Sequence, residues 1–189
     1  MPQKKQLAQY IFTVSDFLTA DECGELIQLT ETMGYTVAPV NTPGGAPTVV
    51  TSIRNNDRVM FDDADLAESL WLRVKPFCPE FYKGHSVVGL NERLRVYRYD
   101  RGHVFRWHAD GSFRRKNGET SRLTFLVYLN DDFEGGETLF EELTIEPERG
   151  MALLFAHGYL HEGGEVFAGR KYVLRSDVMY SADVCELSD

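Results

Sequence analysis

The second half of the chain alternates apolar and polar residues, and this pattern limits the possible folds more than any other feature. From about Val87 onward, four runs are rich in β-branched and aromatic residues, and glycine or Asn/Asp clusters separate them: RLRVYRY, SRLTFLVYL, GMALLFAH and RKYVLRSDVMY. A period of two places alternate side chains on opposite faces of a strand. The pattern therefore predicts an all-β body over residues 87–181, built as a sandwich or jelly-roll barrel.

Two amphipathic runs in the first half predict helices. Thr19 and Glu22 have the spacing of a capping box, and the helix that follows is expected to stop at Gly34. The apolar stripe of this helix is Leu26, Ile27, Leu29 and Met33. The second stripe, which ends before two prolines, is Leu66, Ala67, Leu70, Trp71 and Val74. We expect both helices to pack on one outer face of a mainly β jelly roll, in a single domain of residues 1–189 whose first 86 residues are helical support and loops.

A histidine and a carboxylate two positions apart, His108 and Asp110, lie in the sequence RWHADGS. Side chains at i and i+2 of a strand share one face, roughly 6.5 Å apart, so both groups are able to reach one metal ion. His161, in YLHEGG, is the natural third ligand. Two histidines and one carboxylate form a facial triad, which leaves positions on non-haem Fe(II) open. The pair by itself is a weak signal, because strands also carry such polar residues by chance.

The strand predicted after His161 carries two cations on one face, Lys171 and Arg175, with Val173 between them. A buried cation in this position is suited to bind the far carboxylate of a dicarboxylate co-substrate through charge-assisted hydrogen bonds. The alternative is a strand lysine that faces solvent. Arg170, on the opposite face, suits the solvent-facing role better.

The order of these motifs resembles that of the Fe(II)- and 2-oxoglutarate-dependent dioxygenases of the prolyl 4-hydroxylase-like group. The resemblance spans residues 94–180 and rests on YDRGHVFRWHAD, RLTFLVYLND, GGETLF, ERGMALLFAH and HEGGEVFAGRKYVLRSD. It implies a double-stranded β-helix, which agrees with the strand prediction, and it implies Fe(II), 2-oxoglutarate and O₂, with ascorbate as a further reductant. The reaction it implies is hydroxylation of an unactivated C–H bond with release of succinate and CO₂. A prolyl residue of a protein or peptide is the substrate it suggests, while a small molecule fits the sequence as well.

The resemblance also assigns the residues of the catalytic centre. His108, Asp110 and His161 match the iron ligands of the group. Lys171, ten residues after the distal histidine, matches the basic residue that binds the C5 carboxylate of 2-oxoglutarate. Arg175 lies on the same predicted strand face and is a second candidate for that role.

Further positions of the co-substrate pocket follow from the same resemblance. Tyr99 aligns with a tyrosine that hydrogen-bonds the co-substrate, and Thr138 aligns with a pocket threonine. Phe105 stands where relatives often have tyrosine, so a hydroxyl contact made there is missing in this chain. His103 and His157 lack a carboxylate at i+2, so we interpret His103 as a loop residue and His157 as a strand-end residue that hydrogen-bonds near the ligands.

Charge limits the partners that the chain is expected to bind. A formal net charge of -9 argues against a polyanion-binding surface over the whole molecule, so neither nucleic acid nor a membrane is expected as a partner. Nine of the 20 Lys and Arg residues nevertheless fall between Arg93 and Arg122. They form either an ordinary solvated face or a local field that favours an anionic ligand. No pattern in the sequence indicates an oligomeric state.

The cysteines and the N-terminus bear on location. Cys23, Cys78 and Cys185 are an odd number and lie far apart, so they suggest neither a disulfide framework nor a thiolate zinc site. A reducing compartment fits this usage, and we expect a cytoplasmic protein. The N-terminal apolar patches are interrupted by polar residues, so we expect neither a signal peptide nor a membrane span there.

The sequence leaves the roles of two segments undecided, and it leaves two rival functions possible. The sequence NTPGGAPT, residues 41–48, predicts a loop that serves either as a connector or as a flap over a site. The following SIRNNDR, residues 52–58, brings Arg54, Asn55, Asn56 and Arg58 together, and either substrate contact or surface solubility explains them.

The rivals to the oxygenase are a cupin-like metalloprotein using Zn²⁺ or Mn²⁺, and a non-enzymatic jelly roll that binds sugar or peptide.

Overall fold

The computed structural model describes residues 1–39, 48, 50 and 52–184, so most of the predicted loop 41–48 lies outside the described residues. The described part contains helices α1 (Ala20–Met33) and α2 (Ala64–Val74) and a 3-10 helix (Lys75–Phe77). Its strands are β1 (Gln3–Ala8), β2 (Ile11–Ser15), β3 (Thr36–Val37), β4 (Asp57–Asp62), β5 (Phe81–Tyr82), β6 (His85–Leu90), β7 (Arg93–Tyr99), β8 (Phe105–His108), β9 (Thr120–Tyr128), β10 (Glu134–Gly135), β11 (Thr138–Phe140), β12 (Leu143–Ile145), β13 (Ala152–Ala156), β14 (His161–Gly163), β15 (Val166–Ala168) and β16 (Lys171–Val184).

These strands form a large sheet and a smaller sheet. The ten-stranded main sheet runs in the order β1-β2-β13-β9-β16-β7-β4-β3, with β6 beside β16 and β5 beside β6. The four-stranded sheet has the order β12-β11-β14-β8, and β10 and β15 form a separate pair. The strands of both sheets pair in antiparallel fashion. Two antiparallel sheets with two N-terminal helices confirm the predicted fold class, a mainly β jelly roll.

The main sheet carries an apolar core on each of its faces. On the outer face, buried side chains of α1 and α2 pack against alternate strand residues such as Leu94 and Leu174. On the inner face, Tyr128 and Phe155 pack against Phe140 of the smaller sheet. The observed helices therefore cover one outer face, as predicted, and the space between the two sheets is left for a second core and a pocket.

Helix α1 begins at the predicted capping box and ends at the predicted glycine, whose φ is +83°. Its buried residues differ from the predicted apolar stripe. Leu26 is buried together with Cys23 and Thr30. Leu29 and Met33 are instead 46% and 48% exposed. Positions 23, 26 and 30 recur every three to four residues and share one face of the helix, so apolar character alone selected two residues on the wrong side.

Helix α2 buries the predicted stripe, with four of its five residues below one tenth exposed: Ala67, Leu70, Trp71 and Val74. It ends where the 3-10 helix with its proline begins. Within the described ranges, no helix combines the length and the hydropathy that a membrane-spanning helix requires.

The first 86 residues contribute strands as well as the predicted helices and loops. Strand β2 pairs with β13, and β4 pairs with β7, so N-terminal segments flank both sides of the central strands. The alternation of apolar and polar residues did not reveal β2. The first four residues of this strand are all buried, and a strand buried on both faces shows no period of two. Strand β3 is only two residues long.

A close approach of two loops provides a test of the fold. Gly150 has φ +79°, and a Cβ there would lie 2.1 Å from the carbonyl oxygen of Leu18. We expect Gly150→Ala to lower the free energy of unfolding by about 2–4 kcal/mol, since alanine neither favours this φ nor fits the space. Urea denaturation followed by circular dichroism measures the change.

The control for this substitution is Gly24→Ala, at an exposed helical position where an added Cβ meets nothing within 4 Å. It is expected to raise the free energy of unfolding by up to about 1 kcal/mol. Equal stability of Gly150→Ala and the wild type would show that the loop contact does not constrain the fold.

Candidate metal and co-substrate site

The three predicted ligand residues lie together at one end of the smaller sheet. His108 and His161 are direct cross-strand partners in β8 and β14. The Nε2 atom of His108 is 3.8 Å from Oδ1 of Asp110, and the Nε2 atom of His161 is 3.7 Å from Oδ2. One donor atom from each residue lies within 4.8 Å of the other two. Side chains that are more than fifty positions apart in the chain thus converge on one point.

The contacts that orient Asp110 differ from the strand alternation predicted from the spacing of His108 and Asp110. Strand β8 ends at His108, so strand alternation does not orient the carboxylate. The backbone N–H of Asp110 donates to the carbonyl oxygen of His157 at 3.1 Å. Its carboxylate accepts a hydrogen bond of 2.5 Å from Thr124 Oγ1 and pairs with Nη2 of Arg175 at 2.8 Å. His157 thus supports the site through its backbone.

Backbone carbonyl groups orient both imidazoles. Nδ1 of His108 is 2.8 Å from the carbonyl oxygen of Arg106, and Nδ1 of His161 is 3.0 Å from that of Tyr159. An Nδ1–H that donates to a carbonyl leaves the Nε2 lone pair available, and in both residues Nε2 faces Asp110. Phe105 stacks on the His108 ring at a centroid distance of 3.5 Å, which further limits ring rotation.

The electrostatic surroundings favour the protonation states that metal binding requires. Burial, with His161 nearby, lowers the pKa of His108 to about 3. Burial also lowers the pKa of His161. Burial alone would raise the pKa of Asp110, but the charge of Arg175 and the hydrogen bond from Thr124 outweigh it and hold that pKa below its ordinary value. Two neutral imidazoles and an ionised carboxylate are donors that fit Fe(II).

A pocket extends from this cluster between the two sheets. Alternate residues of three central strands line it, from β7 (Tyr97 and Tyr99), β9 (Thr124, Leu126 and Tyr128) and β16 (Lys171, Val173 and Arg175). The face of β9 that carries Thr124, Leu126 and Tyr128 therefore lines the pocket. The apolar face of the same strand lies in the core against the helices.

Lys171 is buried in this pocket, with 3% of its surface exposed. It lies opposite Tyr99 in the strand register. Its Nζ donates to the carbonyl oxygen of Gly136 at 2.5 Å and lies 5.3 and 5.4 Å from the ring centroids of Tyr99 and Tyr128. Burial lowers the pKa of Lys171 to about 7. In the part of the chain that is described, no carboxylate forms an ion pair with Lys171. Its ammonium group is therefore available to pair with an anionic ligand.

Thr138 and Tyr99 lie in the same pocket. Oγ1 of Thr138 is 2.7 Å from the hydroxyl of Tyr128. Burial raises the pKa of Tyr99 to about 12, so its phenol remains a hydrogen-bond donor at neutral pH. The solvent-facing cation of this strand region is Arg170, which pairs with Asp100 at 2.5 Å.

Arg175 lies in a different part of the pocket from Lys171. The two cations are four positions apart, roughly 13 Å along β16. Arg175 is paired with Asp110 at 2.8 Å and with Asp177 at 3.6 Å. Its charge is therefore already balanced by carboxylates, whereas that of Lys171 is not.

Two further residues border the cluster: Arg54, for which the sequence left substrate contact and surface solubility open, and Tyr97, which the sequence analysis did not assign. Arg54 is 5% exposed, and its guanidinium lies 4.5 Å from the ring centroid of Tyr97 and 4.2 Å from that of Phe105. Tyr97 lies two residues before Tyr99, so strand alternation alone was a sufficient signal for it. The burial of Arg54 argues against surface solubility as the reason for this residue.

Comparison with known proteins connects this geometry to a family. Residues 94–176 match the model of the 2OG-Fe(II) oxygenase superfamily. Prolyl 4-hydroxylase 1 of Arabidopsis thaliana is 26% identical over 90% of this chain and 69% of its own length. Among solved structures, a prolyl hydroxylase from Trichoplax adhaerens in complex with a hypoxia inducible factor peptide fragment has a TM-score of 0.68 at 17% identity, covering 89% of this chain and 83% of its own.

A second structural neighbour is the viral collagen prolyl hydroxylase of Paramecium bursaria Chlorella virus-1, in its 2-oxoglutarate complex. It has a TM-score of 0.64 at 20% identity and covers 91% of this chain and 97% of its own. At these identities the structural neighbours support the fold, while the family model and the Arabidopsis relative support the chemistry.

The matched segment and the cluster of donors define an Fe(II)- and 2-oxoglutarate-dependent oxygenase, a hydroxylase that consumes O₂. Over most of its length, the chain is similar to prolyl 4-hydroxylases. The oxygenase chemistry with Fe(II), 2-oxoglutarate and O₂ that was expected from the sequence is thereby confirmed, and it is favoured over the cupin-like metalloprotein and the non-enzymatic binding module. The use of ascorbate stays a prediction.

The pairing of Asp110 with Arg175 predicts a stability effect. In the metal-free protein, Arg175→Met should lower the free energy of unfolding by about 3–5 kcal/mol, because it leaves buried carboxylates without their partner. Thermal and urea denaturation of metal-free protein measure the change.

The control is Arg93→Met, which removes an exposed pair with Asp62 and should leave stability nearly unchanged. A stability of Arg175→Met equal to that of the wild type would mean that the carboxylate of Asp110 is stabilised by other groups.

Proposed function

We propose that this enzyme hydroxylates a prolyl residue of a peptide or protein, with His108, Asp110 and His161 as the ligands of its catalytic iron. The convergence of three suitable donors on a pocket with a buried lysine, which forms no ion pair with any described carboxylate, is the observation that carries this proposal. A small-molecule substrate stays the alternative, because the likeness to peptide-binding structures is a likeness of fold.

The roles proposed for the chain follow from the contacts around the cluster. Bound Fe(II), together with 2-oxoglutarate and O₂, supplies the oxidation that yields succinate, CO₂ and a hydroxylated carbon. The carbonyl groups behind His108 and His161 hold each Nε2 toward the metal position. Thr124 and Arg175 hold the carboxylate of Asp110 in place and ionised. Because these contacts already hold all three side chains in position, the site needs little reorganisation when it binds its ligands.

Lys171 is proposed to bind the C5 carboxylate of 2-oxoglutarate. Support comes from its burial, from its lack of a carboxylate partner among the described residues, and from its position on the strand face that leads to the cluster. Tyr99 is its direct neighbour and is proposed to donate a hydrogen bond to the same co-substrate. Leu126 and Val173 make the pocket walls between them apolar, which keeps bulk water away. Thr138 completes the lining.

The substrate is proposed to approach from a second cleft on the other side of the cluster. Apolar groups at this cleft include Ile53, Ala109 and Phe113, and such groups suit a pyrrolidine ring. Ile53 and Phe113 are 40% and 36% exposed, so a bound peptide would cover them. The Trichoplax neighbour was solved with a peptide fragment, which supports a peptide as the substrate class.

A cytoplasmic location is proposed as well. Its support is the sparse use of cysteine, which suits a reducing compartment. Cys23 and Cys78 are free thiols in the described part of the chain.

The ligand assignment predicts the loss of two properties together. His108→Ala and Asp110→Ala should each abolish iron binding and succinate formation, because removal of one of three donors leaves too few to retain the ion. Anaerobic calorimetry with Fe(II) and a succinate assay measure the two properties.

His103→Ala is the matched control, since this histidine lies in a turn and contacts the backbone N–H of Asp100. It should retain both iron binding and turnover. Undiminished 2-oxoglutarate turnover by Asp110→Ala would refute the assignment.

The assignment of Lys171 predicts an effect of pH. Because its pKa in the ligand-free pocket is about 7, the lysine is mostly neutral at higher pH and must take up a proton to pair with a carboxylate. The KM for 2-oxoglutarate should therefore be constant below this pKa and rise above it, by up to roughly tenfold per pH unit. Lys171→Arg should flatten the profile, since arginine stays protonated.

Lys171→Ala should raise the KM for 2-oxoglutarate by roughly 10- to 100-fold, the value of one charge-assisted hydrogen bond. Succinate formation at varied 2-oxoglutarate concentration measures it. If Arg175→Met raises this KM and Lys171→Ala does not, the carboxylate partner is Arg175.

A further inference from the structure

The second cleft is lined by four arginines from four parts of the chain. Arg54 comes from the segment before β4, Arg58 from β4, Arg95 from β7 and Arg175 from β16. We name these four residues the arginine cleft. The described residues that line this cleft include only two carboxylates, Asp110 and Asp177. The cleft thus carries an excess of positive charge beside the proposed iron ligands.

The two carboxylates balance only part of this charge. Arg95 and Arg175 both pair with Asp177, at 3.3 and 3.6 Å, and Arg175 also pairs with Asp110. Arg54 donates from Nε to the neutral amide of Asn56 at 2.7 Å. No ion pair connects Arg54 or Arg58 to a carboxylate within the described segments. The charge excess therefore belongs to these two residues.

Arg54 has a donor that is buried and unused. Among the residues that the structure describes, its Nη2 atom has no hydrogen-bond partner, although Arg54 is only 5% exposed. A buried guanidinium donor without an acceptor is costly, and an anion in the cleft would remove that cost. The rings of Tyr97 and Phe105 on either side keep the guanidinium in place.

Tyr97 connects the unpaired arginines with the cluster. It is the direct cross-strand partner of Arg58, so their side chains lie on the same face of the sheet. Burial alone would raise the pKa of Tyr97, but the charges of Arg175, Arg54 and Arg95 outweigh it and lower the pKa to about 8. A phenol so affected reports a strong positive potential in the cleft.

We propose that the arginine cleft binds a carboxylate of the substrate, with Arg54 and Arg58 as its partners, so that the enzyme selects acidic substrates. The carboxylate is either the free carboxyl group of a proline or the side chain of an acidic residue beside it. Arginine suits this role because its planar fork of donors matches the two oxygens of a carboxylate. The inference rests on the proposed function, since the cleft faces the substrate only if the cluster holds the iron.

Binding of matched ligand pairs tests this inference without the need for turnover. Calorimetry is carried out on the full chain, metal-free and then loaded anaerobically with Fe(II) and 2-oxoglutarate. One pair is N-acetylproline and its amide. The other pair is the N-acetylated, C-amidated tripeptides Ala-Pro-Glu and Ala-Pro-Gln. In at least one pair, the acid should bind roughly tenfold or more tightly than its neutral partner, and the pair that shows this identifies the source of the carboxylate.

Arg58→Gln is the decisive variant, because this arginine is only half-buried and its replacement should not prevent folding. It should abolish the preference for the acid, and Arg54→Gln should do the same. Circular dichroism of both variants measures whether they fold as the wild type does. Arg101→Gln, which removes one exposed arginine outside the cleft, should keep the preference.

Each outcome bears on one claim. Equal binding of acid and neutral ligand in both pairs, failure of both acids to bind, or a preference that survives Arg58→Gln overturns the role of the arginine cleft. Failure of the wild type to bind iron or form succinate instead overturns the proposed function, and the acid preference of the metal-free protein is still measured independently.

Discussion

The site depends on the two-sided character of strand β16 at the centre of the main sheet. Odd-numbered residues from Lys171 to Asp177 face the space between the sheets, and even-numbered residues such as Leu174 face the helices. Strand pairing with β7 and β9 fixes the register of this strand on both sides. A slip of one residue would exchange the two faces, burying charges in the apolar core. The core against the helices therefore also positions the cations of the pocket.

The two cations of the pocket, Arg175 and Lys171, differ in whether described carboxylates balance their charge. Arg175 is held by carboxylates and in turn keeps Asp110 ionised. Lys171 has an apolar and aromatic setting, which lowers its pKa and leaves its charge available. Burial makes each unpaired charge costly, so a ligand that supplies the missing opposite charge gains more there than on the surface. The same reasoning applies to Arg54 in the second cleft.

The basic stretch seen in the sequence resolves into two kinds of residue. Several of its members form surface ion pairs, as Arg93 does with Asp62, Arg98 with Asp57, and Arg115 with its neighbouring glutamates. Of the four residues of the arginine cleft, only Arg95 belongs to that stretch. The other three arginines of the cleft lie elsewhere in the chain. The high content of Lys and Arg in residues 93–122 therefore indicated a positive field, but most of the residues that produce the field of the cleft lie outside this stretch.

Periodicity and capping residues in the sequence were sufficient for the jelly-roll class, both helices and the set of pocket-facing residues in the later strands. They were sufficient because these features depend on neighbours two to four positions apart. The buried strand β2 escaped detection, since burial on both faces removes the alternation.

The residue types of the metal cluster were also evident from the sequence. Tertiary structure alone decided that β8 ends before Asp110, that Arg175 pairs with this carboxylate, and that Arg54 enters the cleft from a distant segment. These contacts join residues far apart in the chain, and their distances are set by the packing of the two sheets, which local patterns do not encode.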